Sequence, residues 1–272
     1  MSEESPVITE LDFGRMYRDH QARAGGWAKP PEFWDARATA FDARVRAGGS
    51  YIESFISRMD FSDCDSLIDI GCGNAALPLA MASRFEKIVG VDYSPAMLDV
   101  ARQRAAEAGA SNFSAVLRAW EADWSDLPVC DIAIASRSMG VMDLEAALHK
   151  IDRQARKRVY LTAPVGWRVV NPAVLKALGR EVAPTVDKPD YIYFVNLLYR
   201  MKRMPRLDFI AHPRTEEPKA DSESFHRNAS FFLGPLSDAE SGRLRLWRDA
   251  NPAAPLFERD QEYWAIISWS TY

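Results

Sequence analysis

From Phe33 to Met59 the apolar positions Trp34, Ala38, Phe41 and Val45 recur at helical spacing, and Gly48-Gly49 interrupts them, so two amphipathic helices are predicted. After Asp63 the pattern changes. Short, almost wholly apolar runs at SLIDI (66–70), KIVGV (87–91), FSAVL (113–117), DIAIA (131–135) and RVYLT (158–162) alternate with helical stretches at Ala76–Phe85, Pro95–Ala108 and Asp143–Ala155. Strands that are apolar on both faces and separated by helices predict a parallel sheet covered on both sides, a doubly wound α/β domain. YIYFVNLLYRM (191–201) fits either helix or strand, whereas RLDFIAHP (206–213) and EYWAIISWS (262–270) read as strands. Pro164 to Asp190 is punctuated by proline, and Arg214 to Gln261 is polar and too long for a turn, so it reads as an insertion near a functional mouth. The chain divides into an N-terminal helical segment (1–60) and an α/β domain (61–272) with insertions at about 164–205 and 214–261.

Composition removes several classes of function. With 272 residues, 47% apolar and 26% charged, and no biased segment, the chain is neither disordered nor fibrous. A net charge of −4 disfavours a protein devoted to nucleic-acid phosphates, and RMKRMPR (200–206) reads as a solvated face. No apolar run approaches the ~18 residues needed to span a bilayer, and the start MSEESPVITELDF lacks a signal-like apolar core. Cys64, Cys72 and Cys130 form no C-x-x-C pair and fit a reducing compartment, so a cytoplasmic protein with no membrane association is expected. His20, His149, His212 and His226 stand apart, so no metal is expected.

The chemistry concentrates where the first strand runs into Asp69-Ile70-Gly71-Cys72-Gly73-Asn74-Ala75 and then a helix. Glycines let the chain turn sharply and let a ligand lie on the backbone, and a helix start offers unpaired N–H groups. Asp92 ends the second strand 19 residues after Gly73, where a carboxylate accepts hydrogen bonds from both hydroxyls of a ribose. GCGNAA also satisfies G-x-G-x-x-A, which leaves an NAD(P)-dependent oxidoreductase open. Asp69, two residues before the first glycine, argues the other way: a buried carboxylate repels a pyrophosphate and suits the sulfonium and ammonium of S-adenosylmethionine.

LIDIGCGNAALPLAMA (67–82) followed by VGVDYSPAMLDVAR (89–102) resembles the glycine and acidic second-strand motifs of the class I S-adenosylmethionine-dependent methyltransferases, in the branch acting mostly on small molecules. FWDARATAFD (33–42) is similar to that family's helix over the cofactor, and ADWSDLP (122–128) to its adenine-side loop. The resemblance implies a Rossmann-like seven-stranded sheet, mostly parallel with the last strand antiparallel, an N-terminal helical lid and an insertion before the last strand. It implies that Asp69, Gly71 and Gly73 hold the methionyl end, Asp92 the ribose, and Tyr93 and Met97 the adenine face. Either Asp123, or Trp120 with Glu121, meets the adenine edge, and Ser136 lies near the methionyl group. Trp34 belongs to the lid, and Arg37 is placed to pair with the methionine carboxylate. Ala75 stands where the family has its third glycine, so a relative that binds the cofactor without catalysis is a further alternative.

Methyl transfer depends mainly on proximity and alignment, so no catalytic dyad is required and none is assigned. Ser136-Arg137-Ser138-Met139 follows the fourth strand in place of the family's N-P-P-Y or Pro-Cys loops, which points away from DNA-base and glutamine acceptors and toward a small or medium metabolite. Candidate acceptor residues are Arg137, Tyr191, Tyr199 and His226; for each, packing or plain solvent exposure is the competing reading. Of the eight Trp, four (Trp34, Trp120, Trp124 and Trp167) fall where pocket walls are expected, which suggests an aromatic, water-poor acceptor site.

Overall fold

The structure is a computed structural model that describes residues 7–24, 29–48, 50–166, 170–180, 188–213, 222–257 and 261–271. Backbone contacts divide the chain into two units, one comprising Met1–Val165, Lys188–Ile210 and Trp264–Tyr272, the other Gly166–Asp187 and Ala211–Tyr263.

Seven strands form one sheet: β1 (Ser66–Ile70), β2 (Lys87–Asp92), β3 (Phe113–Leu117), β4 (Cys130–Ala135), β5 (Ala155–Pro164), β6 (Arg206–Pro213) and β7 (Gln261–Ser270). Their order is β3-β2-β1-β4-β5-β7-β6. Neighbours from β3 through β5 are parallel, and β7 runs antiparallel to β5. This is the doubly wound α/β sheet expected from the apolar runs. Because side chains alternate across a strand, each run feeds two cores. Ile68, Ile70, Ala133 and Ala135 enter one, with Phe13, Leu148 and Phe194; Leu67, Ile88, Ile132 and Ile134 enter the other, with Tyr51 and Phe55.

The helices of this unit are α1 (Phe13–Arg23), α2 (Pro31–Asp35), α3 (Ala38–Arg46), α4 (Tyr51–Ile56), α5 (Ala76–Leu79), α6 (Pro95–Glu107), α7 (Leu144–Gln154) and, after α8, α9 (Tyr191–Arg200). Where two helices were expected over 33–59 there are three. The added break falls after Asp35, whose carboxylate is committed to the start of α6, accepting from Ser94 Oγ at 2.6 Å and the Ala96 N–H at 3.1 Å. The helix expected at Ala76–Phe85 is shorter too. The chain tightens to a 3-10 turn at Ala82–Arg84, and Asn112 Nδ2 donates to the carbonyls of Ala82 (2.9 Å) and Phe85 (2.6 Å). The ambiguous run at 191–201 is helical: Phe194, Leu197 and Leu198 are buried at helical spacing, and Asp190 caps the first turn.

The second unit contains α8 (Pro172–Leu178), α10 (Ser222–Leu233) and α11 (Asp238–Ala250). Its own small core joins Val174, Leu178, Phe225, Ala229, Leu244, Leu256 and Phe257. Among the described residues no helix is long and apolar enough to cross a membrane.

Candidate functional site

The turn after β1 reaches across to β2, where the N–H groups of Gly71 and Cys72 both bond to the Val91 carbonyl, at 2.7 and 3.0 Å. Gly71 (φ 75°), Gly73 (φ 54°) and Ala75 (φ 56°) all lie in the left-handed region, which a Cβ disfavours. The two glycines differ in surroundings. A side chain on Gly71 would run into Ser138, 2.8 Å from its Oγ and closer still to its Cβ, whereas above Gly73 the nearest atom is Phe41 Cε1 at 3.9 Å. The first glycine therefore admits another part of the protein, and the second leaves its face open. α5 is only four residues long and adds no extended helix dipole to the turn. Cys72 is a packing residue: its Sγ abuts Gly90, and burial holds its thiol well above the ordinary range.

Two carboxylates flank this turn. Asp69 is 2% exposed, and its Oδ1 is buried with no hydrogen-bond partner. Burial first, and the neighbouring charge of Asp92 second, push its carboxyl well above the usual carboxylate range. A group in this state calls for a cationic or donating partner. Asp92 is raised by burial as well, but it accepts the N–H groups of Gly73 (2.8 Å) and Ser94 (2.9 Å), which favour its charged form.

The N-terminal helices cover this end of the sheet. Trp34 stands edge-on to Phe41 at 6.2 Å, and Tyr93 donates to the Lys29 carbonyl at 2.8 Å, its phenol pushed up to about 12 mainly by burial and then by the charge of Asp92. Glu121 is among the charges acting on Tyr93. Met97 is buried in the first turn of α6. After β3, Trp120 donates from Nε1 to the Ser138 carbonyl at 3.0 Å, and Lys150 donates to the carbonyls of Trp120 and Ala122. Asp123 is turned onto Ser125, accepting from its N–H and hydroxyl, while Glu121 stays exposed. Of the residues named for the two registers, Trp120 and Asp123 have their polar groups engaged within the chain, and Glu121 is exposed. Arg37 is folded back onto Phe33, stacked at 3.8 Å and bonded to its carbonyl.

After β4, Ser136 Oγ meets Tyr51 Oη at 2.7 Å, and Tyr51 also reaches Thr162 Oγ1 at 3.2 Å. Arg137 follows with its guanidinium 4.1 Å over the Tyr51 ring. Ser138 Oγ donates to the Ile70 carbonyl at 2.6 Å, which locks this loop to the glycine turn. The remaining acceptor candidates lie on other elements. Tyr191 is half-buried edge-on to Phe209, Tyr199 is 70% exposed about two turns further along α9, and His226 lies on α10 in the second unit. Trp124 is 5% exposed and serves as a core anchor beneath Lys150, not as an open wall; Trp167 lies outside the described residues. Among the described residues no cluster suited to a metal ion forms.

Four residues that the sequence reading passed over hold the site together: Asp35, Tyr51, Asn74 and Asp42. Asp42 on α3 accepts from Asn74 Nδ2 of the glycine turn (2.8 Å), Arg46 (2.6 Å) and Arg104 of α6 (2.7 Å). Burial pushes its carboxyl up, but these three partners outweigh burial and hold it below 3.8. Its contribution to stability is therefore complete at neutral pH and is lost only as the pH falls below 3.8. Asp42→Ala is expected to cost about 2–3 kcal/mol at pH 7 by leaving Arg104 unpaired. A thermal melt should show a drop of roughly 5–10 °C.

A Rossmann-like sheet with an acid on each side of a glycine turn is the arrangement of a nucleoside-cofactor enzyme. Comparison with known proteins agrees. A family model described as "Methyltransferase domain" matches residues 62–188. A demethylmenaquinone methyltransferase of Symbiobacterium thermophilum is 30% identical over 193 residues, covering 65% of this chain and 68% of that one. An uncharacterized protein of Haemophilus influenzae is 29% identical over 97% of this chain and 98% of its own. Among solved structures, coclaurine N-methyltransferase bound to N-methylheliamine and S-adenosylhomocysteine superposes with a TM-score of 0.53 at 12% identity, covering 97% of this chain and 96% of that one. The chain belongs to the class I S-adenosylmethionine-dependent methyltransferases, and its cofactor is S-adenosylmethionine. That membership decides against the nicotinamide alternative.

Proposed function

We propose that the chain methylates a small or medium metabolite in a site roofed by its N-terminal helices. The observation that carries this reading is the unpartnered buried oxygen of Asp69 at the glycine turn. In this reading Asp69 holds the cationic methionyl end over Gly71 and Gly73, and Asp92 holds the ribose. Tyr93, Met97, Trp34 and the Trp120–Glu121 pair enclose the adenine. Arg37 joins the methionine carboxylate once it releases the Phe33 carbonyl, and Ser136, steadied by Tyr51, borders the methyl group.

When bound, the cofactor supplies a methyl group on a sulfonium, already a good leaving group. The chain's residues therefore have to align the acceptor and exclude water, and a base is needed only for an acceptor that must lose a proton. The open face of Gly73 and the covering Trp34–Phe41 pair serve those two ends. The three free, buried cysteines accord with a cytoplasmic enzyme.

Isothermal titration with S-adenosylhomocysteine tests the site. The wild type should bind, and Asp92→Ala should weaken binding at least tenfold by removing the ribose acceptor, a loss of about 1.4 kcal/mol or more. No binding by the wild type, or equal affinity in the variant, would overturn the reading.

A further inference from the structure

Arg137 is unusual in backbone and side chain together. It is not glycine, yet its φ is 55°, in the left-handed region that costs an L-residue roughly 1 kcal/mol or more. Its N–H is held in that conformation by Thr162 Oγ1 at 2.8 Å, and Thr162 is 1% exposed at the heart of β5. Thr162 Oγ1 also contacts Tyr51 Oη, and Tyr51 carries the Arg137 guanidinium on its ring. One buried threonine thus fixes both the strained peptide and the platform on which the charge rests.

The charge itself is not used by the fold. Arg137 is exposed, and its guanidinium makes no hydrogen bond or ion pair with any described residue. This contrasts with Arg46, Arg104, Arg156 and Arg203, each engaged by an aspartate. Five N–H donors in a planar fork are left without a described partner on the residue that follows Ser136. Asp69 and Asp92, buried at the glycine turn, would repel an approaching anion whenever they are ionised. Tyr51, between them, feels the charge of both Arg137 and Asp69. A fixed cation on the loop after β4 offsets that repulsion.

We propose that the methyl acceptor carries an anionic group, a carboxylate or a phosphate, and that Arg137 is its anchor. The proposal rests on the methyltransferase site described above and adds the charge of the substrate. Arg137 recognises the anion through its paired N–H groups, as guanidinium geometry favours, and so sets which end of the acceptor points at the methyl group. Neutral molecules of the same shape lack that hold.

The test uses the full chain saturated with S-adenosylhomocysteine, titrated with benzoate, inorganic phosphate and neutral benzyl alcohol while amide chemical shifts are followed. Arg137→Asn is the variant of choice, because asparagine tolerates the left-handed conformation and the fold survives the loss of charge. Benzoate or phosphate should give saturable shifts at Ser136, Ser138 and Thr162 in the wild type, at least tenfold weaker in Arg137→Asn, with benzyl alcohol giving none. Affinity for S-adenosylhomocysteine should be the same in both proteins within twofold. Equal anion binding in wild type and variant would overturn the proposal. So would a tenfold loss of S-adenosylhomocysteine affinity in Arg137→Asn, which would assign the guanidinium to the cofactor's own carboxylate. Failure of the wild type to bind S-adenosylhomocysteine at all would instead remove the cofactor reading, and this inference with it.

Discussion

Asp69→Asn is expected to weaken S-adenosylmethionine binding by about 2–4 kcal/mol, because it removes the buried charge that meets a cationic group. In a titration this is roughly a 30- to 1,000-fold rise in Kd. The same substitution should make the free protein more stable. Asp69 is raised well above 3.8, so the folded chain keeps a proton that the unfolded chain has lost, and the carboxyl destabilises the fold increasingly as the pH rises above 3.8. Removing the charge lifts that penalty by about 1–2 kcal/mol, less whatever the amide leaves unpaired. Melting curves without ligand should therefore coincide near pH 4 and separate by several degrees at pH 8, with the variant higher. The cofactor's affinity for the wild type should fall as acid returns the proton to Asp69, and the variant should lack that dependence. Equal affinity in the two proteins at pH 8 would show that Asp69 does not face the ligand.

Placing a methyl group on each of the two glycines should separate folding from binding. Gly71→Ala is expected to cost about 3–5 kcal/mol, since the new carbon meets Ser138 and the left-handed backbone adds its own strain. Its melting temperature should fall by roughly 6–15 °C, with cofactor binding lost as a consequence. Gly73→Ala keeps only the backbone cost, about 1 kcal/mol, because nothing approaches closer than 3.9 Å. The protein should fold with a melting temperature only a few degrees lower, yet S-adenosylhomocysteine affinity should drop by a factor of about 100 as the methyl fills the open face. Thermal melts and titration on the pair give both readings. A Gly73→Ala protein that binds normally would mean the ligand does not lie on that face.

Much of the architecture was legible because it rests on unbroken apolar runs. Leu67-Ile68, Ile132 through Ala135 and Ala265 through Ile267 have no polar alternative to burial, and each became a strand of the sheet. Helices were read less well where few side chains are apolar. The buried face of α1 is Phe13, Gly14, Tyr17 and Gln21, of which only two carry a large apolar side chain, and it leaves little periodic signal. The polar insertion hid α10 and α11 for the same reason: Leu244 and Arg248 are the buried residues of α11, and an arginine does not announce a core. At the site, Asp69 and the glycine turn stood out through spacing along one segment. Asp42, Asp35 and Tyr51 could not, because their partners Asn74, Ser94 and Ser136 are 32, 59 and 85 residues away. Tyr51 also sits four residues before buried Phe55, where it reads as ordinary packing.

The contact of Ser138 with Gly71 limits how this enzyme can diversify. Ser138 fills the space that glycine leaves, and its hydroxyl ties down the Ile70 carbonyl, so the loop after β4 and the glycine turn are joined as one piece. In the proposed reading of the site, rewriting residues 136–138 for a new acceptor would also disturb the turn that holds the cofactor. Novelty is cheaper in segments that carry no such double duty, and inherited specificity in the strand-four loop should outlast changes elsewhere in the chain.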